Sequence, residues 1–258
     1  MTLKIQIMSD LHVEFVGTSG FPPIAIDVEV VVIAGDTCEG LQTAVRRMRA
    51  AYPTTAIITV AGNHEFYGRD IREELRQARE VARELGVHLL ENDALILGRL
   101  RIIGMTLWTD YELFGIASMP HAMQIARETL RDHRRISWQR KPWRRFRPYE
   151  ARNLHLGSRE YLETELAKSH DGPTMIVTHH APTGSAIAAE LRNNTIAAAY
   201  ASDLHPVIDR YQPDIWIWGH THRARNAVRG CTRLISNPCG YPDEETGFDP
   251  SFTIEVEA

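Results

Sequence analysis

Apolar residues along this chain fall into two rhythms, and the first is the β-strand rhythm. Lys4 to Met8 alternates, while Val28-Glu29-Val30-Val31-Val32-Ile33-Ala34 is almost unbroken and rich in β-branched residues, as expected of a strand covered on both faces. Thr55 to Ala61, Thr174 to Thr178 and Asp214 to Trp218 repeat that signature, and Val87 to Leu90, Ala94 to Leu97 and Arg101 to Met105 read as shorter strands, the last two joined by a Gly98-Arg99 turn. The second rhythm is helical. From Asp70, apolar residues recur at Ile71, Leu75, Ala78, Ala82 and Leu85, and Gly86 stands at the C-terminal cap position. Further helices are expected over Leu41 to Tyr52, Met119 to His133, Ser158 to Lys168 and Asp203 to Tyr211, with short antiparallel strands after Arg223 around the turn Asn237 to Pro242. Alternation of strand and helix implies parallel strands joined by right-handed crossovers, an α/β fold.

Composition narrows the class. With 258 residues, 43% hydrophobic and 24% charged, and no apolar run near the ~20 residues of a membrane span, the chain reads as a globular protein with no membrane partner. Its N-terminus lacks the apolar core and cleavage site of a signal peptide, so a cytoplasmic location is expected. Three cysteines without a C-x-x-C pair suggest neither a disulfide framework nor a thiolate metal site. A net charge of -4 gives no overall attraction for nucleic acid. One stretch departs from this balance: half of residues 134–147 are basic, none is acidic, and Trp138, Trp143 and Phe146 are interleaved. It is expected to be either a substrate-facing cap, in which Trp143 and Arg144 contact substrate, or a solvated loop or subunit contact. The acidic turn Asp243-Glu244-Glu245 reads as a solvated loop, and Trp108 and Asp110 as pocket-lining or merely structural residues.

Chemistry is concentrated where strands end. Ser9-Asp10-Leu11-His12, Gly35-Asp36, Gly62-Asn63-His64-Glu65, His179-His180 and Gly219-His220-Thr221-His222 each follow a strand, and they hold six of the twelve histidines. Asp10 and His12, two apart in extended backbone, would point to one side. Imidazole, carboxylate and amide oxygen without thiolate suit manganese, iron, zinc or cobalt. Seven candidate ligands among Asp10, His12, Asp36, Asn63, His64, His179, His180, His220 and His222 exceed what one ion takes while leaving room for substrate, so two divalent ions are implied, with Asp36 the natural bridge.

The series S-D-L-H, G-D, G-N-H-E, T-H-H-A-P and G-H-T-H, in this order, resembles the calcineurin-like metallophosphoesterase superfamily. The resemblance spans Asp10 to His222 and implies a four-layer α/β/β/α sandwich of two mixed sheets flanked by helices, a single domain over 1–258 with a cap-like insert around 112–157. It also implies that one ion takes Asp10, His12, Asp36 and His222, and the other Asp36, Asn63, His179 and His220, with His64 contacting phosphate and donating a proton to the leaving group. The pair His179-His180 allows either as ligand; His179 is preferred because it comes first after the strand, and His180 is then a substrate-binding candidate.

The implied activity is phosphate-ester hydrolysis, a metal-bridging hydroxide attacking phosphorus in line. A phosphodiesterase or phosphatase acting on a small nucleotide-like substrate is expected, with a catalytically silent binding module or a DNA nuclease as alternatives, and nucleic acid the less favoured partner. A protein phosphatase is disfavoured because Gly35-Asp36-Thr37-Cys38-Glu39-Gly40 lacks the second Asp and the Arg of G-D-x-x-D-R-G.

Overall fold

Alternation within the β-branched runs, which serves two faces at once, sets the layering. The structure is a computed structural model describing residues 2–257; residues 1 and 258, the ends of the expected 1–258 domain, lie outside the described residues. Strands β1 (Thr2–Met8), β2 (Val30–Ile33) and β3 (Ala56–Thr59) carry between them helices α1 (Val13–Val16) and α2 (Leu41–Ala51), and α3 (Ile71–Leu85) leads to β4 (Val87–Leu89). The chain then crosses to a second sheet through the hairpin β5 (Asp93–Leu97) and β6 (Leu100–Met105). Next come α4 (Met119–Thr129), α5 (Asp132–Arg135), the hairpin β7 (Ser137–Arg140) and β8 (Trp143–Arg145), and the long helix α6 (Pro148–Leu166). Strand β9 (Thr174–Thr178), α7 (His205–Tyr211), β10 (Ile215–Trp218), β11 (Arg225–Arg229), β12 (Thr232–Ser236) and β13 (Thr253–Glu257) complete the order.

One sheet is ordered β13-β1-β2-β3-β4, parallel except for β13, and the other β11-β12-β10-β9-β6-β5, parallel from β12 to β6. Val30 and Val32 join Ile5, Ile7, Met175, Val177 and Ile217 in the core between the sheets. Their neighbours Val31 and Ile33 face outward against Leu41, Val45, Met48 and Ala78 of the helices. Ile103, Met105, Ile176 and Trp216 do the same on the far side against Leu162 of α6 and Val207 and Ile208 of α7. The result is the expected four-layer α/β/β/α sandwich. No helix among the described residues is long and apolar enough to cross a membrane.

Three expectations change. The Met119 to His133 helix is two helices, because Leu130 is extended (φ -74°, ψ 141°) and turns the chain before α5. The helix expected from Ser158 begins ten residues earlier at Pro148, in the first turn where a missing N–H costs nothing, and Glu150 reaches back to accept from the Arg147 N–H at 3.0 Å. The polar stretch before Ser158 lacks the apolar period that would have revealed it. Finally, the basic stretch is a hairpin docked on this same chain, not a free loop. Phe146 is fully buried against Trp108 and Trp138, Arg72 lies 4.2 Å over the Trp138 ring, and the Arg140 N–H donates to Asp70 Oδ2 at 2.9 Å.

Candidate metal centre

Five strand-end loops meet at one edge of the sandwich, and in three of them the backbone is forced into an uncommon conformation. Asp10, His12, Asp36, His220 and His222 have φ of 52°, 43°, 54°, 65° and 45°. Left-handed backbone at non-glycine residues costs roughly 1–3 kcal/mol each and survives only where the surroundings hold it. The convergence of Asp10 and His12 therefore comes from tight turns after β1 ends at Met8, and not from extended strand as the spacing suggested. Glu65, fully buried, is one brace: it accepts from the backbone N–H groups of Asp36 (3.0 Å), Thr37 (2.7 Å) and Gly62 (2.9 Å), tying the loops after β2 and β3 together. Burial and the neighbouring Asp36 carboxylate push its pKa up to about 8. Gly62 is required for another reason, since a Cβ there would sit 2.1 Å from Asp36 Oδ1.

Two triads result. Asp10, His12 and His222 bring potential ligand atoms within 4.8 Å of one another, as do Asp36, His179 and His220. Asp36 joins the triads: its Oδ2 is 3.9 Å from His12 Nε2 and its Oδ1 is 3.5 Å from His179 Nε2. Asn63 Oδ1 lies 3.0 Å from His179 Nε2, beside the second triad. All seven residues singled out as ligands are thus gathered in one place. The donor set fits cations: His220 Nε2 is buried without a hydrogen-bond partner among the described residues, and the carboxylates of Asp10 and Asp36 are held as anions at the bottom of the site. Burial opposes their charge, yet His222 and His179 respectively draw the two pKa values down.

Around the triads stands a shell of partners that aims each ring. His179 Nδ1 donates to the Ala34 carbonyl at 2.9 Å, so Nε2 turns inward. His222 Nδ1 donates to Glu244 Oε2 at 2.5 Å. Glu244 therefore belongs to the site, which corrects the reading of the Asp243 to Glu245 turn as merely solvated. Glu14 Oε1 serves two histidines, His12 Nδ1 at 3.4 Å and His64 Nδ1 at 3.0 Å, and these bonds hold its pKa down at about 2 against the opposing effect of burial. Asn63 Nδ2 donates to Asp132 Oδ1 at 2.9 Å and lies 3.1 Å from the Tyr67 hydroxyl, which itself donates to Asp132 at 2.7 Å. His64 Nε2 lies 3.1 Å from the Tyr241 hydroxyl. Sequence reasoning passed over Glu14, Tyr67, Asp132 and Tyr241, and set Glu244 aside as part of a solvated turn. Only Glu14 left a trace, as the third member of the i, i+2, i+4 series Asp10, His12, Glu14.

A cleft of about 350 Å³ opens over the triads and is lined by Asp36, Asn63, His64, His220 and His222 at its base. Among the described residues Arg131 is the one guanidinium on its wall, and Leu130, Ile187, Ala188 and Leu191 form an apolar side. Three expected substrate contacts are elsewhere. His180 lies behind the triads with its ring 4.2 Å from His220 and 5.1 Å from Trp108; burial and neighbouring His179 push its pKa down to about 3. Trp143 is 59% exposed on the outer hairpin beneath Arg145, and Arg144 pairs with Glu150 at 3.3 Å. Neither lines the cleft, because docking of the hairpin on α3 aims both outward. Trp108 and Asp110 are likewise packed inside, the latter 3.7 Å from buried His155.

A family model described as calcineurin-like phosphoesterase matches residues 3–224. The chain is 23% identical over 279 residues to "Uncharacterized protein L509" of Acanthamoeba polyphaga mimivirus, covering 98% of this chain and 96% of that one. Among solved structures it is similar to the phosphopantetheinyl hydrolase from Mycobacterium tuberculosis, with a TM-score of 0.71 at 19% identity over 94% of this chain and 93% of that one. It is also similar to a putative 5'-nucleotidase from Staphylococcus aureus, with a TM-score of 0.51 at 13% identity over 92% of this chain and 48% of that one. At these identities the structural likeness speaks for the fold.

Proposed function

The chain belongs to the calcineurin-like phosphoesterase family, and we propose that it hydrolyses a small phosphate ester with two divalent cations held by Asp10, His12, Asp36 and His222 on one side and Asp36, Asn63, His179 and His220 on the other. Membership makes it a metal-dependent phosphoesterase; the number of ions, their ligands and the substrate are our reading. The observation that carries it is Asp36, whose Oδ1 lies 3.5 Å from His179 of its own triad and whose Oδ2 lies 3.9 Å from His12 of the other. Ions of the manganese, iron, zinc or cobalt type would supply an activated water as nucleophile and neutralise the charge of the phosphoryl oxygens.

The chain's own residues do the rest. Glu14 holds the Nδ1 hydrogen of His64, so Nε2 is the atom left to face the cleft. Burial opposes a charge on His64, but Asp36 and Glu14 outweigh it and raise its pKa, which suits a proton donor to a departing alkoxide. Arg131 adds a positive charge on the wall, where it orients an anionic substrate that the net charge of -4 would not attract. In this reading 1–258 is one metallophosphoesterase domain, and the 112–157 insert completes its site through Arg131 and Asp132.

A cleft of about 350 Å³ suits a small molecule better than a polymer. The names of the two solved relatives, a phosphopantetheinyl hydrolase and a putative 5'-nucleotidase, also describe small phosphorylated substrates. Assays of p-nitrophenyl phosphate, bis-p-nitrophenyl phosphate and cyclic nucleotides with manganese test the proposal. Turnover lost on chelation, regained with manganese and reduced roughly 10²- to 10⁴-fold in His64→Ala is expected. Turnover of none of them above the His64→Ala level would refute it and favour a silent binding module.

A further inference from the structure

One wall of the cleft has no part in the chemistry just described. Leu130 comes from the break between α4 and α5, and Ile187, Ala188 and Leu191 come from the loop after β9. These four line the cavity that holds the triads, and Leu191 is 42% exposed at its edge, where an aliphatic side chain of that size is unfavourably hydrated. Several polar groups of the cleft are already engaged. Asn63 is bound by Asp132, Glu244 by His222, and the Thr129 hydroxyl donates to the Ile125 carbonyl at 2.7 Å. The one side-chain amide among the described lining residues is therefore not free to read the edge of a base.

The aromatic rings are occupied as well. Tyr67 lies between His64, at 4.4 Å, and the Arg135 guanidinium, at 4.8 Å. Tyr241 stacks on His12 at 4.4 Å, and Tyr200 packs on His220 at 5.1 Å. A flat nucleobase finds each of these rings already packed on one side and the one side-chain amide engaged, whereas a flexible aliphatic chain meets a wall of its own kind.

We propose that this wall selects phosphate esters whose organic arm is a slender aliphatic chain over nucleotides, with Leu130, Ile187 and Leu191 as the specificity-determining residues. The inference rests on the proposed phosphoesterase site. The phosphate sits over the triads with Arg131 at its flank, and the arm lies along the wall. It narrows the expectation of a nucleotide-like substrate, which drew on the basic aromatic hairpin that proves to be docked elsewhere.

Calorimetric titration of the manganese-loaded protein with n-alkyl phosphonates from methyl to octyl, and with a nucleoside monophosphate, tests it. Each methylene laid fully on the wall is expected to tighten binding about fourfold, so butyl exceeds methyl by tenfold or more. Leu191→Ser, a change at an exposed position that the fold tolerates, is expected to weaken butyl binding several-fold while leaving methyl binding alone. Affinity independent of chain length, or a nucleoside monophosphate binding more tightly than the butyl compound, would overturn the inference. Turnover of bis-p-nitrophenyl phosphate by the same preparation separates the two readings: turnover with a flat chain-length series sinks only the wall, and a rising series without turnover sinks only the hydrolase.

Discussion

Asp132 is the sharpest test of how the insert serves the metal centre. Its side chain is buried, and Oδ1 accepts from Asn63 Nδ2 at 2.9 Å and from the Tyr67 hydroxyl at 2.7 Å. In Asp132→Ala the Asn63 Nδ2 group keeps only its 3.1 Å contact with Tyr67, and the Tyr67 hydroxyl loses its acceptor. A hydrogen bond to a charged group is worth about 1.5–3 kcal/mol, so the fold loses about 2 kcal/mol net, or roughly 4–8 °C in Tm for a chain of this size. The functional cost is separate. Outer-shell partners typically contribute 10- to 100-fold to metal affinity, about 1.4–2.7 kcal/mol, and here the loss falls on the ion that Asn63 would share with His179 and His220. Manganese titration of the metal-stripped protein is expected to show one site nearly unchanged and the other weakened by that factor. Asp132→Asn, which keeps an acceptor oxygen, recovers most of the loss, and Tyr67→Phe, which spares the Asn63 to Asp132 bond, costs less. A folded Asp132→Ala protein binding two ions with wild-type affinity would refute the assignment of Asn63 as a ligand aimed by the insert.

Arg131→Met should lower kcat/KM about tenfold or more, mostly through KM, with metal affinity unchanged; steady-state kinetics beside a metal titration checks both. Trp143→Ala and Arg144→Ala should leave kcat/KM within about twofold, and a loss beyond tenfold would restore the hairpin as a substrate contact. His133 links stability to pH. Burial among Tyr111 and Phe146 pushes its pKa down to about 4, so the unfolded chain binds the proton more readily, and stability present above pH 6.5 is lost as pH falls toward 4. The loss attributable to this group is about 3 kcal/mol. Denaturant melts at pH 7 and pH 4 are expected to differ less in His133→Gln by that amount, and an unchanged difference would exclude His133 as the source.

Local patterns carried the sequence reading far, and they did so for a definite reason. A strand buried on both faces must be nearly all apolar, so β2, β3, β9 and β10 announced themselves, and with them the edge at which they end. Ligand-type residues placed immediately after such runs were equally visible, because adjacency along the chain is all that pattern requires. What the linear pattern does not contain is pairing between side chains far apart in sequence. Asn63 and Asp132 are 69 residues apart, and His222 and Glu244 are 22 apart, so nothing near either member marks the other. The hairpin misled for the converse reason: seven positive charges and three aromatic rings are a composition, and only packing against α3 decides which of them face the solvent. Period and adjacency determined the α/β alternation and the location of its chemistry, and the resemblance of the strand-end motifs implied the sandwich. Tertiary structure alone decided which carboxylate aims each imidazole and which wall the substrate meets, because both depend on directions that side chains acquire only when distant elements pack together.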